Sequence, residues 1–269
     1  AFSDAPLEDR STGLIAGQTV RFLEAHRQEP FVLRVSIPDP HEPYEAPRRY
    51  AEMFPPEVVD LPPWREGEFD MAPERNQVLH AMMGMEDVAA QDVYGLLAAY
   101  YGNVRFLDDG VGQILDALEH LGLRENTIVV FCSDHGDFAG EHCMNCKGGV
   151  FYDALTRIPL IVSWPSQLPG GAIEGGLVNL VDVVPTLLHL QGLSIPRSMQ
   201  GHLLATVTDA PPQEVTFSEY GAGGPPFTLE DLRRLPKPYG RRALIHSLQW
   251  REAEGRRKMV RTQEWKYVH

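Results

Sequence analysis

One junction constrains this chain more than any other feature. Helical periodicity over residues 88–121 gives way to the continuously apolar run Thr127-Ile128-Val129-Val130-Phe131-Cys132, and then at once to Ser133-Asp134-His135-Gly136-Asp137. In the first segment Leu97, Tyr101, Val104, Leu107, Val111, Ile114, Leu118 and Leu121 recur at three- and four-residue steps, so one side of a long helix is apolar. Gly110 and Gly112 are expected to bend it. The run at 127–132 does not alternate, which is the pattern of a strand covered on both faces. A helix feeding such a strand is an α/β unit, and open α/β sheets meet their ligands just beyond the carboxyl ends of strands. Gly136 allows the chain to turn sharply there.

The remaining elements fit the same class. Gly13–His26 reads as a helix, and Phe31-Val32-Leu33-Arg34-Val35-Ser36-Ile37 as a strand ending at Pro38. Nine prolines between Pro38 and Pro73 mark a long surface loop. Ile158–Trp164 reads as a second buried strand, Leu180–Leu190 as a helix begun near Asp182, and Glu214–Tyr220 and Lys258–Val268 as further strands. Gly221–Gly240 is a second Gly/Pro-rich loop. The expected fold is an α/β sandwich with a largely parallel sheet flanked by helices. Residues 1–205 would form the C-terminal portion of the main domain, and 206–269 its tail or the start of a smaller C-terminal subdomain. Met82, Met83 and Met85 read as a packing patch or a loop, and Asp108, Asp109 and Asp116 as a solvated helix face.

Three groups of residues carry chemistry. Asp134 and His135, delivered together at a strand end, offer a carboxylate and an imidazole to a divalent cation; a polar turn is the plainer alternative. Lys147 follows across the Gly140-Glu141-His142 loop and could neutralise an anion or a leaving group, or be an ordinary solvated lysine. His41, in Pro38-Asp39-Pro40-His41-Glu42-Pro43-Tyr44, follows a strand on a backbone stiffened by proline. It could give a proton or hydrogen bond to a substrate oxygen, or cap nearby backbone. Cys143-x-x-Cys146 could be a redox pair or half a zinc site. With no following helix signal, and with only His135 and His142 nearby as further ligands, it reads as incidental.

Taken in order, these blocks resemble the sulfatase family of the alkaline phosphatase superfamily. Phe31–Tyr44 resembles that family's strand and Pro-His-x-Pro turn, and Phe131–His142 its metal-binding strand and loop. Lys147, Phe151-Tyr152, Arg157–Ile161, Asp182–Leu190 with Pro185-Thr186, and Val260-Arg261-Thr262 with Trp265-Lys266-Tyr267 continue the likeness. The resemblance implies an alkaline phosphatase-like fold and hydrolysis of a small anionic sulfate ester. Asp134 and His135 would bind one divalent metal, calcium ahead of magnesium or manganese. Lys147 would contact the sulfate and the bridging oxygen, and His41 would assist the leaving group. Phe151, Tyr152 and Arg157 read as structural. The family's N-terminal Asp pair and its Cys/Ser-x-Pro/Ala-x-Arg motif, the source of formylglycine, find no match here. The fold is therefore expected to be incomplete at the N-terminus, with the nucleophile upstream and the chain alone inactive.

Phosphonate monoester and phosphodiester hydrolases of the same superfamily are the nearest alternative, and a non-catalytic homologue is another. Two-metal phosphatases fit less well, because Asp39-x-His41 lacks their Asp-x-x-x-His spacing. A net charge of −13 argues against sequence-independent nucleic-acid binding. No apolar run is long enough to span a bilayer. Three cysteines favour a reducing compartment, the cytoplasm ahead of the periplasm or a secreted location.

Overall fold

The computed structural model describes residues 2–62, 64–85, 87–221, 228–234 and 255–269. Strand β1 (Phe2–Ser3) precedes helix α1 (Ser11–His26), and β2 (Ala46–Pro47) runs directly into α2 (Arg48–Ala51). Helix α3 (Glu74–Met83) and the long α4 (Ala90–His120) lead to β3 (Val129–Cys132). After α5 (Asp153–Thr156) the chain forms β4 (Leu160–Ser163), α6 (Val183–Leu190), β5 (Thr216–Tyr220), α7 (Leu229–Arg233), β6 (Arg257–Arg261) and β7 (Lys266–Val268).

Helix α4 organises the amino-terminal part of the chain. It runs unbroken through Gly110 and Gly112. Gly110 serves close approach, since a Cβ there would lie 2.7 Å from Thr12 Cγ2 of α1. Gly102 serves the same end, because a Cβ would meet the Ala51 backbone nitrogen at 2.8 Å. Leu23 of α1 and Ala117 and Leu118 of α4 form one buried cluster, joined by Phe31, Leu33 and Val129. The stretch Phe31–Ile37 has the alternation of a strand, with Val32 97% exposed, yet it joins no ladder among the described residues. Its inward side chains still pin it against α1 and α4, which places the Pro38–Tyr44 segment that follows.

Strand pairing departs from the expected parallel arrangement. Apart from the two-residue β1–β2 pair, the ladders among the described residues are antiparallel: β3 on β4, and β5–β6–β7. Cys132 pairs with Leu160, so the segment 133–159 leaves and re-enters the sheet at one end and never crosses it. The β3 and β4 residues are partly exposed instead of buried on both faces, Ile161 among them at 58%. Val129 packs on the helical cluster, whereas β4 lines an open cleft. The predicted strand Lys258–Val268 is a hairpin, because Thr262 N donates to Trp265 O and Trp265 N to Thr262 Oγ1, closing a turn. The Gly221–Gly240 loop falls mostly outside the described residues, though 229–233 within it is helical. The long Pro38–Pro73 loop is interrupted by β2 and α2.

Polar anchoring replaces apolar burial at the start of α6. Asn179 caps the turn Leu180–Asp182 that enters α6, and the buried Asp182 carboxylate accepts from Asn179 N, His202 N and Gln213 Nε2 at 2.6–2.8 Å. Met83 and Met85 are buried, as a packing patch requires, and Met83 joins Phe138 and Met144 in the core below the 139–146 loop.

The α4 glycines give a paired test. Gly102→Ala should lower stability by about 1–3 kcal/mol through overpacking against Ala51. Gly112→Ala meets nothing within 4 Å and should instead gain roughly 0.5–1 kcal/mol of helix propensity. Denaturant midpoints for the two variants should move in opposite directions.

Candidate active site

The candidate site forms where two loops meet at the carboxyl end of β3. The first loop carries His41. Its Asp39 carboxylate accepts from Ser11 Oγ at 2.8 Å and from the fully buried Thr12 Oγ1 at 2.6 Å, which fastens the loop to the start of α1. His41 Nδ1 lies 2.6 Å from the Glu42 carbonyl oxygen and therefore donates its proton there. The Nε2 lone pair is left to accept from Lys147 Nζ at 2.5 Å, across 106 residues of sequence. Lys147 Nζ also donates to Glu42 Oε2 at 3.3 Å.

The second loop carries the metal-ligand candidates and Lys147. Gly136 N donates to Leu155 O at 2.9 Å, and a Cβ on Gly136 would lie 1.9 Å from Ala154 O, so no larger residue fits without displacing α5. That contact fixes the turn just after His135. His135 Nδ1 lies 2.9 Å from Gly136 O, which leaves Nε2 as the acceptor, 3.7 Å from Asp134 Oδ2. A ring held through Nδ1 by a backbone carbonyl, with Nε2 free, is the arrangement of a metal-ligating histidine. The Asp134 side chain is 85% exposed and offers a hard oxygen donor. These two residues fit a divalent cation as part of its coordination sphere. Among the described residues no group of three or more metal-binding side chains surrounds them.

Lys147 owes its position to a strained, buried segment. Ala139, His142, Cys143 and Cys146 have φ of 42°, 55°, 53° and 57°, and among the described residues no other non-glycine residue has positive φ. Each costs of order 1–3 kcal/mol unless its surroundings impose it. Here they do. Phe138 and Met144 are buried beneath the loop, Phe138 N bonds Cys146 O at 2.9 Å, and His142 Nδ1 meets Glu68 Oε1 at 2.5 Å. Tyr44 joins the two loops. Its hydroxyl donates to Asp137 Oδ2 at 2.7 Å and accepts from Cys146 N at 3.1 Å.

Electrostatics follow burial. Burial raises the Asp137 pKa above the usual carboxylate range, against the opposing hydrogen bonds from Tyr44 and Ala139. Burial also raises the Tyr44 phenol, helped by the Asp137 charge. The Cys146 thiol is pushed up to about 11 by burial and by the Glu42 carboxylate, so near neutral pH it is not the thiolate that redox or zinc chemistry uses. Cys146 carries a free thiol, and Cys143 is buried. For Glu42, burial works upward, but its backbone hydrogen bond, Lys147 and His41 outweigh it and hold the carboxyl below its ordinary value.

His41, Lys147, Asp134 and His135 line one cleft of about 2230 Å³, together with β4 and parts of β5 and β6. Glu42, Tyr44 and Asp137 were not singled out from the sequence. An acid beside His41 and a second acid two residues beyond His135 were the available signals, but neither reveals a partner more than 90 residues away.

Comparison with known proteins identifies the family. The Sulfatase family model matches residues 4–193. The chain is 32% identical over 197 residues to an arylsulfatase of Clostridium perfringens, covering 71% of this chain and 40% of that protein. It is 31% identical over 176 residues to a choline-sulfatase of Rhizobium meliloti, covering 62% and 33%. The solved phosphonate monoester hydrolase of Silicibacter pomeroyi superposes with a TM-score of 0.77 at 25% identity, over 98% of this chain and 52% of that one. The chain belongs to the sulfatase family, within the alkaline phosphatase superfamily. It spans between a third and two fifths of the length of these two sulfatases. As a family, sulfatases use a metal ion and formylglycine.

Tyr44→Phe should cost about 1–3 kcal/mol, because it strips the buried Asp137 of a donor and Cys146 N of an acceptor. Chemical unfolding of the variant would read this loss, and an unchanged midpoint would show that the two loops are held together by other contacts.

Proposed function

We propose that this chain supplies the metal-side and leaving-group-side residues of a sulfuric ester hydrolase. The observation that carries the reading is the meeting of Lys147 and His41 at 2.5 Å in the cleft that Asp134 and His135 also line. Asp134 and His135 would hold one divalent cation, with calcium ahead of magnesium or manganese as the family resemblance implies. Such a cation, when bound, offsets charge on the ester's oxygens as a Lewis acid. The formylglycine of the family would provide the nucleophile.

The chain's own residues have separable tasks. The Lys147 ammonium faces the cleft and neutralises a sulfate oxygen on binding. A sulfate ester stays anionic near neutral pH, so fixed positive charge is the available means of offsetting it. As the S–O bond breaks, negative charge grows on the bridging oxygen. His41, oriented by its Nδ1 contact with the Glu42 carbonyl, presents Nε2 to that oxygen once Lys147 turns to the sulfate, and a proton taken up from solvent at the freed Nε2 would be given to the departing alcohol. Lys147 lies close enough to Nε2 to share that proton or to stabilise the same oxygen.

A second reading replaces sulfur by phosphorus, with a phosphonate monoester as substrate. It is favoured by the superposition on the phosphonate monoester hydrolases of Silicibacter pomeroyi and Agrobacterium radiobacter, at TM-scores of 0.77 and 0.73. Assaying the full-length protein on an aryl sulfate and an aryl phosphonate monoester ranks the two.

In that protein Lys147→Ala should lower kcat/KM by about 10²–10³, with the larger loss for poor leaving groups. Equal losses for good and poor leaving groups would remove the leaving-group role, and unchanged kinetics would make Lys147 an ordinary surface lysine. Chelation should abolish turnover and calcium should restore it, while Asp134→Asn should raise the calcium concentration needed. Turnover indifferent to chelator would overturn the metal assignment.

A further inference from the structure

We infer that Glu42 is a positioning residue: its carboxylate holds Lys147 and His41 at the cleft and yields Lys147 to an incoming anionic ester. This inference rests on the catalytic reading of Lys147 and His41. Glu42 Oε2 lies 3.3 Å from Lys147 Nζ and 3.4 Å from His41 Nδ1, while Lys147 and His41 contact each other at 2.5 Å. The three side chains thus close a triangle in which each touches the other two.

Several features separate this carboxylate from an ordinary surface acid. The Glu42 side chain is only 22% exposed, and a carboxylate in such a place is costly unless paired. Its side-chain partners among the described residues are the two candidate catalytic groups. The other acid nearby, Asp137, is satisfied by Tyr44 and Ala139 N, and among the described residues Glu42 is the carboxylate within ion-pair reach of Lys147. Its charge also acts on the Cys146 thiol and on the Asp137 carboxyl.

The geometry also says how the clamp opens. At 3.3 Å the Lys147–Glu42 bond is longer than a strong charge-assisted hydrogen bond. The ammonium is steered by Glu42 without being consumed by it. An ester oxygen and the Glu42 carboxylate compete for the same ammonium, so Glu42 weakens anion binding in the ground state. In return it keeps Lys147 and His41 from swinging into solvent, and misplacing such groups by an ångström is costly to the chemical step.

The test uses the full-length protein with Glu42→Gln and Glu42→Asp. Binding of inorganic sulfate, followed by calorimetry, should tighten about three- to fivefold in Glu42→Gln, the scale of a partly exposed ion pair. On an aryl sulfate that variant should show KM and kcat falling together, kcat by about tenfold. Glu42→Asp keeps the charge but withdraws it by one methylene, so sulfate affinity should stay near wild type while kcat falls. A merely structural Glu42 would lower the melting temperature and raise KM. Unchanged sulfate affinity in Glu42→Gln, or wild-type kcat in Glu42→Asp, overturns the inference, and the second criterion decides alone where Glu42→Gln fails to fold. Were the wild type to cleave neither sulfate nor phosphonate esters, the catalytic reading would fall, and sulfate calorimetry would still decide the competition between Glu42 and anion.

Discussion

The site depends on one phenol hydroxyl. Tyr44 gives its proton to Asp137 and receives one from the Cys146 backbone, and so ties a proline-rich loop to the loop that ends in Lys147. Neither loop is held to the other by a shared strand. Each is anchored separately, the first through Asp39 on the start of α1 and the second through Gly136 on α5. The tyrosine bridge adds a buried tie between the loops to the more exposed contacts that Lys147 makes with His41 and Glu42. A low-dielectric setting strengthens the bridge, because a buried acceptor such as Asp137 loses much if its donor is removed.

The antiparallel return of β3 to β4 makes this economy possible. A parallel crossover would carry the chain to the far end of the sheet before the next strand. Here the whole excursion from Ser133 to Pro159 stays at one end, so metal-ligand candidates, strained loop and lysine occupy a single neighbourhood. The buried patch of Phe138, Met144 and Leu79 then does for this loop what a sheet does for a strand: it makes one backbone path much better than its alternatives.

Much of this was legible from residue order. Helix α4 announced itself by periodicity, and strand β3 by its apolar run, because both signals are local. The Asp134-His135 pair and Lys147 could be read from their place after that strand. The pairing sense of β3 and β4 could not, since nothing in either strand encodes its partner's direction. Phe31–Ile37 carries the alternation of a strand, but alternation reports which side chains are covered and not whether the backbone has a neighbour. Gly110 was misread for a related reason. A glycine inside a helical pattern looks like a point of weakness, whereas Gly110 is where the Thr12 side chain of α1 comes close. Glu42 went unremarked because its meaning lies in Lys147, 105 residues away.

The four left-handed non-glycine residues from Ala139 to Cys146 bear on the thermodynamics of ligand capture. A loop forced into sparsely populated backbone angles by the core beneath it has already surrendered its conformational entropy during folding. A ligand arriving at Lys147 then meets a lysine whose main chain needs no further ordering, so little of the binding free energy goes into freezing the receptor. Discrimination between ligands at such a site comes from charge and shape at fixed positions, and a poorly matched anion gains nothing from adjustment of the loop.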